Sequence, residues 1–343
     1  MIMGKIRIGT RESQLAIWQA TQAKVLLAKD GRESELVFIK SEGDIDLVTP
    51  LYDIGVQGIF TRSLDAALLS NKIDIAVHSM KDVPVQLAKG IRQAAVLKRG
   101  SHKDILVLHP DLSQRNTRHW RHYVTTSITG SGKVIKDKTW NIPLQEHRDE
   151  PGNYDDVVIA TSSIRRIAQW LNRYPDHKIE NLRGNVNTRL KKLKESNWHG
   201  AIFAAAGLER IGLRPEGAID LDWMLPAPAQ GAIMVVCRDD DGKTFESCQL
   251  FNDGDTALCA KIERDFLSAL MGGCSTPISA LAKVRRGEIL FGGNIVSPNG
   301  KKLAGAAANV PLKDSAGLGF RTAQDVLARG GQEIIDEMKH ATK

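Results

Sequence analysis

Cysteine is sparse here: the chain has 4 in 343 residues, Cys237, Cys248, Cys259 and Cys274, and no two of them form a C-x-x-C pair. That argues against a disulfide framework or a cysteine-built zinc site and leaves three of them as small apolar residues. Aromatic residues make up only 5% of the chain, with no zinc-ligand spacing and no sustained interleaving of aromatic and basic residues. The usual signatures of nucleic-acid binding are therefore missing. No apolar run is long enough to span a bilayer, and the stretch from Met1 to Gly9 lacks the apolar core of a signal peptide, so a cytoplasmic protein without a membrane role is expected. There is no Walker loop, and no G-x-G-x-x-G stands between a strand and a helix, which disfavours nucleotide phosphates as ligands. What the chain does carry is a formal charge of +7, with Lys and Arg interspersed among Asp and Glu. An anionic partner follows; charge alone allows a nucleic acid, and a small polyanion fits equally well.

At about 150 residues per domain, the length implies two or three domains. The first hundred residues alternate between strand and helix periods. Lys5 to Gly9 reads as a strand, and Ser13 to Lys29 as a helix with Leu15, Trp18, Val25 and Leu26 inward. Leu36 to Ile39 is a strand, Phe60 to Ser70 a helix carrying Phe60, Leu64, Ala67 and Leu68, and Ile73 to Val77 a strand. This βαβαβ order predicts a parallel sheet. A second set repeats it: strand 157–160, helix 163–174, a strand near Ile179, helix 186–196 and strand 201–205. Between the two, residues 111–155 form a polar excursion whose cluster from Arg118 to Tyr123 reads either as a contact site or as a solvated face. The last third changes character, with a helix from Thr256 to Leu270, strands at 278–284, 288–295 and 303–310, and a closing helix from about Arg321 to Lys339. Arg286-Gly287 and Pro298 to Gly300 supply the turns.

Three features carry chemistry. The first is the run from His78 to Pro84, which follows an apolar strand and crowds a base, a hydroxyl, a cation and a carboxylate at its carboxyl end, where open α/β sheets bind ligands. Asp82 is the candidate acid there, although Lys81 and Asp82 also read as solvated turn residues ahead of Pro84. His78 reads as structural, since no partnered serine nucleophile is evident. The second is a set of arginines, Arg11, Arg165, Arg166, Arg183 and Arg189, at or near predicted helix starts in both halves. Cations are unfavourable at a helix N-terminus unless an anion is bound, and the guanidinium fork suits carboxylates. The third is Cys274 in the tight turn from Met271 to Pro277, where glycines allow close approach; an inert loop thiol fits the spacing equally well.

Together these stretches closely resemble the porphobilinogen deaminase (hydroxymethylbilane synthase) family. The matching segments run in the family's order: Gly9 to Gln19, Asp74 to Pro84, Thr161 to Arg166, Leu182 to Leu190, Ala206 to Gly212, Leu225 to Ala232, and the Cys274 turn. The resemblance implies two doubly wound α/β domains like those of type II periplasmic binding proteins, 1–99 with 228–248 and 100–227. It adds a C-terminal α+β domain, 249–343, with a three-stranded antiparallel sheet. It implies a transferase of tetrapyrrole biosynthesis that joins four porphobilinogen molecules head to tail, releases ammonia each time and then hydrolyses off linear hydroxymethylbilane. Growth would start from a dipyrromethane cofactor bound by thioether to Cys274. Asp82 matches the catalytic aspartate, and Ser79, Lys81, Thr161, Ser163, Arg165, Arg166 and Arg189 fall at cofactor-contacting positions. Arg11, Ser13, Gln19, Arg183, Arg189, Arg210 and Gln230 would contact substrate, with no metal and no nucleic acid, in a monomer. The chain departs from the family at Gln57, Ser63, Asn187 and Ala229, the last two replacing usual glycines, and its excursion at 111–155 is longer than usual by roughly thirty residues. A non-catalytic carboxylate-binding module is the rival reading, which leaves Cys274 without a purpose.

Overall fold

In a computed structural model of the chain, the structure describes residues 5–40, 61–113, 157–270 and 276–341. Three sheets organise them. The first has strand order β2-β1-β3-β10-β4, built from β1 (Ile6–Thr10), β2 (Ser34–Phe38), β3 (Ile75–Ser79), β4 (Ile91–Leu97) and β10 (Ile233–Arg238). The second has order β7-β6-β8-β5-β9, from β5 (Asp104–Leu108), β6 (Val158–Ala160), β7 (Lys178–Glu180), β8 (Gly200–Ala204) and β9 (Ile219–Asp220). Both follow one plan in which three parallel strands are followed by an antiparallel one. In each sheet the antiparallel strand, β10 or β5, is the first one laid down after the chain crosses from the other lobe. The parallel sheet expected from the βαβαβ pattern is thus mixed, because crossover strands whose partners lie 92 or more positions away leave no local signal.

Helix α1 (Gln14–Lys29) starts where the Ser13 hydroxyl accepts from the Ala16 amide at 3.3 Å, and ends at Gly31, whose φ of 70° permits the closing turn. Its buried stripe is Ala16, Gln19, Ala20, Ala23 and Leu27; of the larger residues expected inward, Trp18 and Leu26 pack half-buried against the same core, and Val25 is exposed. Small side chains let the helix lie close on the sheet, while Leu15 and Trp18 turn toward the second lobe. Helix α2 (Arg62–Leu69) buries Leu64, Ala67 and Leu68 as anticipated; Phe60 lies outside the described residues. The second lobe carries α3 (Ile164–Arg173), α4 (Val186–Glu195) and the short α5 (Ala205–Glu209). Helix α6 (Gly242–Gln249) returns to the first lobe, where buried Cys248 joins Cys237 in its core.

The third unit is the antiparallel sheet β11 (Ile278–Arg285), β12 (Glu288–Val296) and β13 (Leu303–Pro311), covered by α7 (Gly254–Ala269) and α8 (Leu318–Val326). Its first hairpin turns at Arg286 and Gly287, with φ of 52° and 80°, as the sequence anticipated for a tight two-residue turn. Phe266 meets Phe291 edge-on at 5.5 Å between centroids. The single closing helix is corrected to two: α8 and α9 (Gln332–Ala341) are separated at Gly330, whose φ of 102° is outside helical geometry.

Helix α7 ties the units together. Glu263 is fully buried; its carboxylate accepts from Arg99 at 2.6 and 3.0 Å, from the Ala229 amide at 2.6 Å and from the Ala282 amide at 2.7 Å. Ala229 has a φ of 61°, which is the physical reason glycine is usual there. Removing one partner of a buried pair strands the other charge. Glu263→Gln should therefore destabilise the chain by about 3–5 kcal/mol, seen as a lower thermal unfolding midpoint; an unchanged midpoint would show that the junction does not depend on this pair.

Candidate active site

A cleft of about 210 Å³ free volume opens between the two α/β lobes, at the carboxyl ends of β1, β3 and β8. Strand β3 runs two residues further than the apolar run suggested, so His78 and Ser79 belong to it and Met80–Asp82 form a single 3-10 turn at its end. Asp82 is exposed and lines the cleft, with half-buried Lys81 beside it. Ser79 lines the cleft too; its hydroxyl accepts from the Gln19 side-chain amide at 2.8 Å. Gln19 itself is buried on α1 and does not line the cleft, so its direct contact is with Ser79.

Opposite stand the guanidiniums. Arg166, Arg183, Arg189 and Arg210 line the cleft from the second lobe, and Arg11 and Ser13 from the first. Burial, helped by Arg166 and Arg183, pushes Arg189 down to about 10 while Asp82 opposes the shift. It stays a cation at neutral pH, its Nε donating to the Gly184 carbonyl at 2.7 Å. Arg210 is likewise lowered to about 10 by burial; it donates to the Gly231 carbonyl at 2.6 Å and lies over the Trp18 ring at 5.5 Å.

Asp104, which sequence reasoning missed, organises this wall. It is fully buried at the start of β5 and accepts from Arg165 Nη1 at 2.7 Å, from Arg166 Nε and Nη2 at 3.0 and 2.8 Å, and from Gln230 Nε2 at 3.0 Å. Burial would raise its pKa, but the two arginines win and hold it down at about 2. Two guanidiniums around one carboxylate leave one positive charge in excess. The signal was an acid placed directly before the apolar run Ile105 to Leu108, where a fully buried strand has no water to offer it.

Of the other anticipated residues, Arg165, Thr161 and Ser163 do not line the cleft; Thr161 and Ser163 lie just before α3, and Arg165 is spent on Asp104 and the Leu225 carbonyl. Gln230 reaches both the cleft and Asp104. His78 is buried and pushed down to about 4 by burial and Arg11, so it is neutral at physiological pH, in keeping with a structural role. Asn187 lines the cleft and bridges the lobes, donating to Gln14 Oε1 at 3.1 Å. Cys274, Gln57 and nearly all of the 111–155 excursion lie outside the described residues.

These features define a two-lobed α/β protein whose interlobe cleft has a cationic wall facing one exposed carboxylate. Residues 6–246 match the family model "Porphobilinogen deaminase, dipyromethane cofactor binding domain", and residues 257–328 match "Porphobilinogen deaminase, C-terminal domain". A porphobilinogen deaminase of Acidithiobacillus ferrooxidans is 34% identical over 98% of this chain and 99% of its own length. One of Geobacter sulfurreducens is 35% identical over 98% and 96%. Among solved structures, the methionine-binding protein MetQ is similar at 14% identity with a TM-score of 0.39, over 74% of this chain and 92% of its own. The chain belongs to the porphobilinogen deaminase family. Its activity is that of a hydroxymethylbilane synthase, a transferase of tetrapyrrole synthesis.

Lys81 offers a pH test. Burial lowers its pKa to about 8, with Asp82 opposing the shift and Arg166 reinforcing it. The ammonium is thus present below pH 8 and lost as pH rises through it. KM for porphobilinogen should climb above about pH 8 in the native enzyme, and Lys81→Arg, which keeps its charge, should move that rise to higher pH; coincident profiles would exclude Lys81 from carboxylate binding.

Proposed function

We propose that Asp82 is the working carboxylate of hydroxymethylbilane synthesis in this chain and that Cys274 carries dipyrromethane through a thioether. The observation that carries the first part is the placement of an exposed carboxylate at a strand end, in a cleft whose other charged lining residues among the described ones are all cations. The residues present suit an acidic pyrrole chain. Arg166, Arg189 and Lys81 are donors matched to its carboxylates, and the buried Gln230 Oε1, with no partner among the described residues, is an acceptor suited to a pyrrole N–H.

Arg166, Arg189, Lys81 and Ser79 would hold the dipyrromethane, with Thr161, Ser163 and Arg165 supporting from behind; Arg11, Ser13, Arg183, Arg210 and Gln230 would receive porphobilinogen, and Gln19 would act through Ser79. When bound, the dipyrromethane supplies an electron-rich pyrrole carbon for bond formation with the methylene carbon of the incoming substrate. The arginines orient the substrate's acetate and propionate, fixing that methylene relative to Asp82. Asp82 would stabilise the positive charge that develops on the substrate's ring nitrogen as ammonia leaves, and would relay the proton displaced by coupling to that ammonia, which departs as ammonium. The surplus charge of the wall holds successive carboxylates as the product lengthens. A monomeric, cytoplasmic enzyme without nucleic-acid or membrane partners fits this use of the cleft, and no helix among the described residues is long and apolar enough to cross a membrane.

Denaturing mass spectrometry tests the attachment: the purified enzyme should exceed the bare chain by one dipyrromethane, and Cys274→Ser should lose that adduct. A bare mass in active enzyme would overturn the assignment. Asp82→Asn should keep the adduct while turnover falls by roughly 10²-fold or more; near-normal turnover would remove Asp82 from the chemistry.

A further inference from the structure

We propose that Arg264, on the helix that leads toward Cys274, is the positioning residue for Asp82; this rests on the reading of Asp82 as the working carboxylate. Arg264 is buried, on α7 in the third unit, and it reaches across to the first lobe. Its Nη1 donates to the carbonyls of Val83 at 2.9 Å and Met80 at 3.4 Å, and its Nη2 to those of Pro84 at 2.5 Å and Val85 at 2.9 Å. These four carbonyls bracket Asp82 on both sides.

The turn needs that support. A three-residue 3-10 turn has little stability of its own. This one is closed by the Val83 amide on the Met80 carbonyl at 3.2 Å and tethered to the sheet by the Met80 amide on the Ala232 carbonyl at 3.0 Å. Met80 and Val83 are buried while Asp82 between them is exposed, so backbone contacts and two apolar anchors set where the backbone of Asp82 stands. Beyond the turn, the carbonyls of Val83, Pro84 and Val85 point successively at one place, and buried carbonyls without donors are costly. A planar fork with two terminal nitrogens can serve all of them, whereas an ammonium on a flexible stem cannot span them. The preceding residue, Glu263, is locked to Arg99 and to the amides of Ala229 and Ala282, so the helix carrying Arg264 is itself held in place. Arg264 therefore couples the Asp82 turn to α7, and a displacement of about 1 Å at such a carboxylate can cost ~10²-fold in rate.

The test uses the full-length enzyme with Arg264→Gln and Arg264→Lys, each alone and combined with Asp82→Asn. Hydrogen exchange should accelerate at the amides of residues 80–83 and 85, while those of β12 stay protected. Turnover of Arg264→Gln should fall by about 10–100-fold with KM within about 2-fold and the covalent adduct retained, and Arg264→Lys should recover part of the loss. In the Asp82→Asn background, Arg264→Gln should add less than about 2-fold, because the two act as one unit. Unchanged exchange at 80–85, or losses that multiply in the double variant, would overturn the positioning role and leave Asp82's role standing. Near-normal turnover in Asp82→Asn alone would instead remove the reading beneath it, and the proposal with it. Should Arg264→Gln fail to fold, Arg264→Lys carries the same two readouts.

Discussion

A carboxylate sealed from water must be surrounded by donors, and that requirement at Asp104 shapes the middle of this molecule. Asp104 stands where the chain has just crossed from the first lobe to the second, and Gln230 reaches it from the segment crossing back. Arg165 and Arg166 reach it from the first turn of α3. One charge thereby organises the crossing strands and the cationic wall together. Without the carboxylate, two adjacent guanidiniums would repel one another in a low-dielectric interior; with it they are immobilised and still leave a net positive charge facing the cleft. The side of Arg166 that lines the cleft is thus preorganised before any ligand arrives.

The third unit supplies a fixed reference for both lobes. Consecutive residues of α7 face opposite tasks, Glu263 toward the crossing segment at Arg99 and Arg264 toward the turn after β3. The second lobe meets the same unit through Gln169, whose amide donates to Ser279 at 2.9 Å, and through Asn172, which donates to the Gly300 carbonyl at 2.6 Å. At the cleft rim the lobes also touch directly, through Asn187 on Gln14 and Arg210 over Trp18. These rim contacts are more exposed than the buried junctions, and an exposed polar pair contributes less.

Legibility followed the range of the interactions. Helix α1, α2 and the first three strands were readable because their periodicity is local, and the Arg286-Gly287 turn because its geometry demands positive φ. The inner stripe of α1 was legible only in part, through Trp18 and Leu26, because alanines that permit close packing carry a weaker signal than large apolar residues. β5 and β10 went unread because their neighbours lie far away along the chain. The site residues at strand ends and helix starts could be picked out singly, yet their partners could not: nothing local shows that Asp104 lies beside Arg165 and Arg166, or Ser79 beside Gln19.

The amino-acid order was enough to place a carboxylate at the end of an apolar strand, to set arginines at helix starts in two similar halves and to identify the family, since these depend on neighbours a few residues apart. Which cations are committed to a buried acid and which remain for a ligand, and that a helix of the third unit grips the turn bearing Asp82, were decided by tertiary structure. Burial and charge pairing join groups 61 to 184 positions apart, and no local pattern encodes contacts of that span.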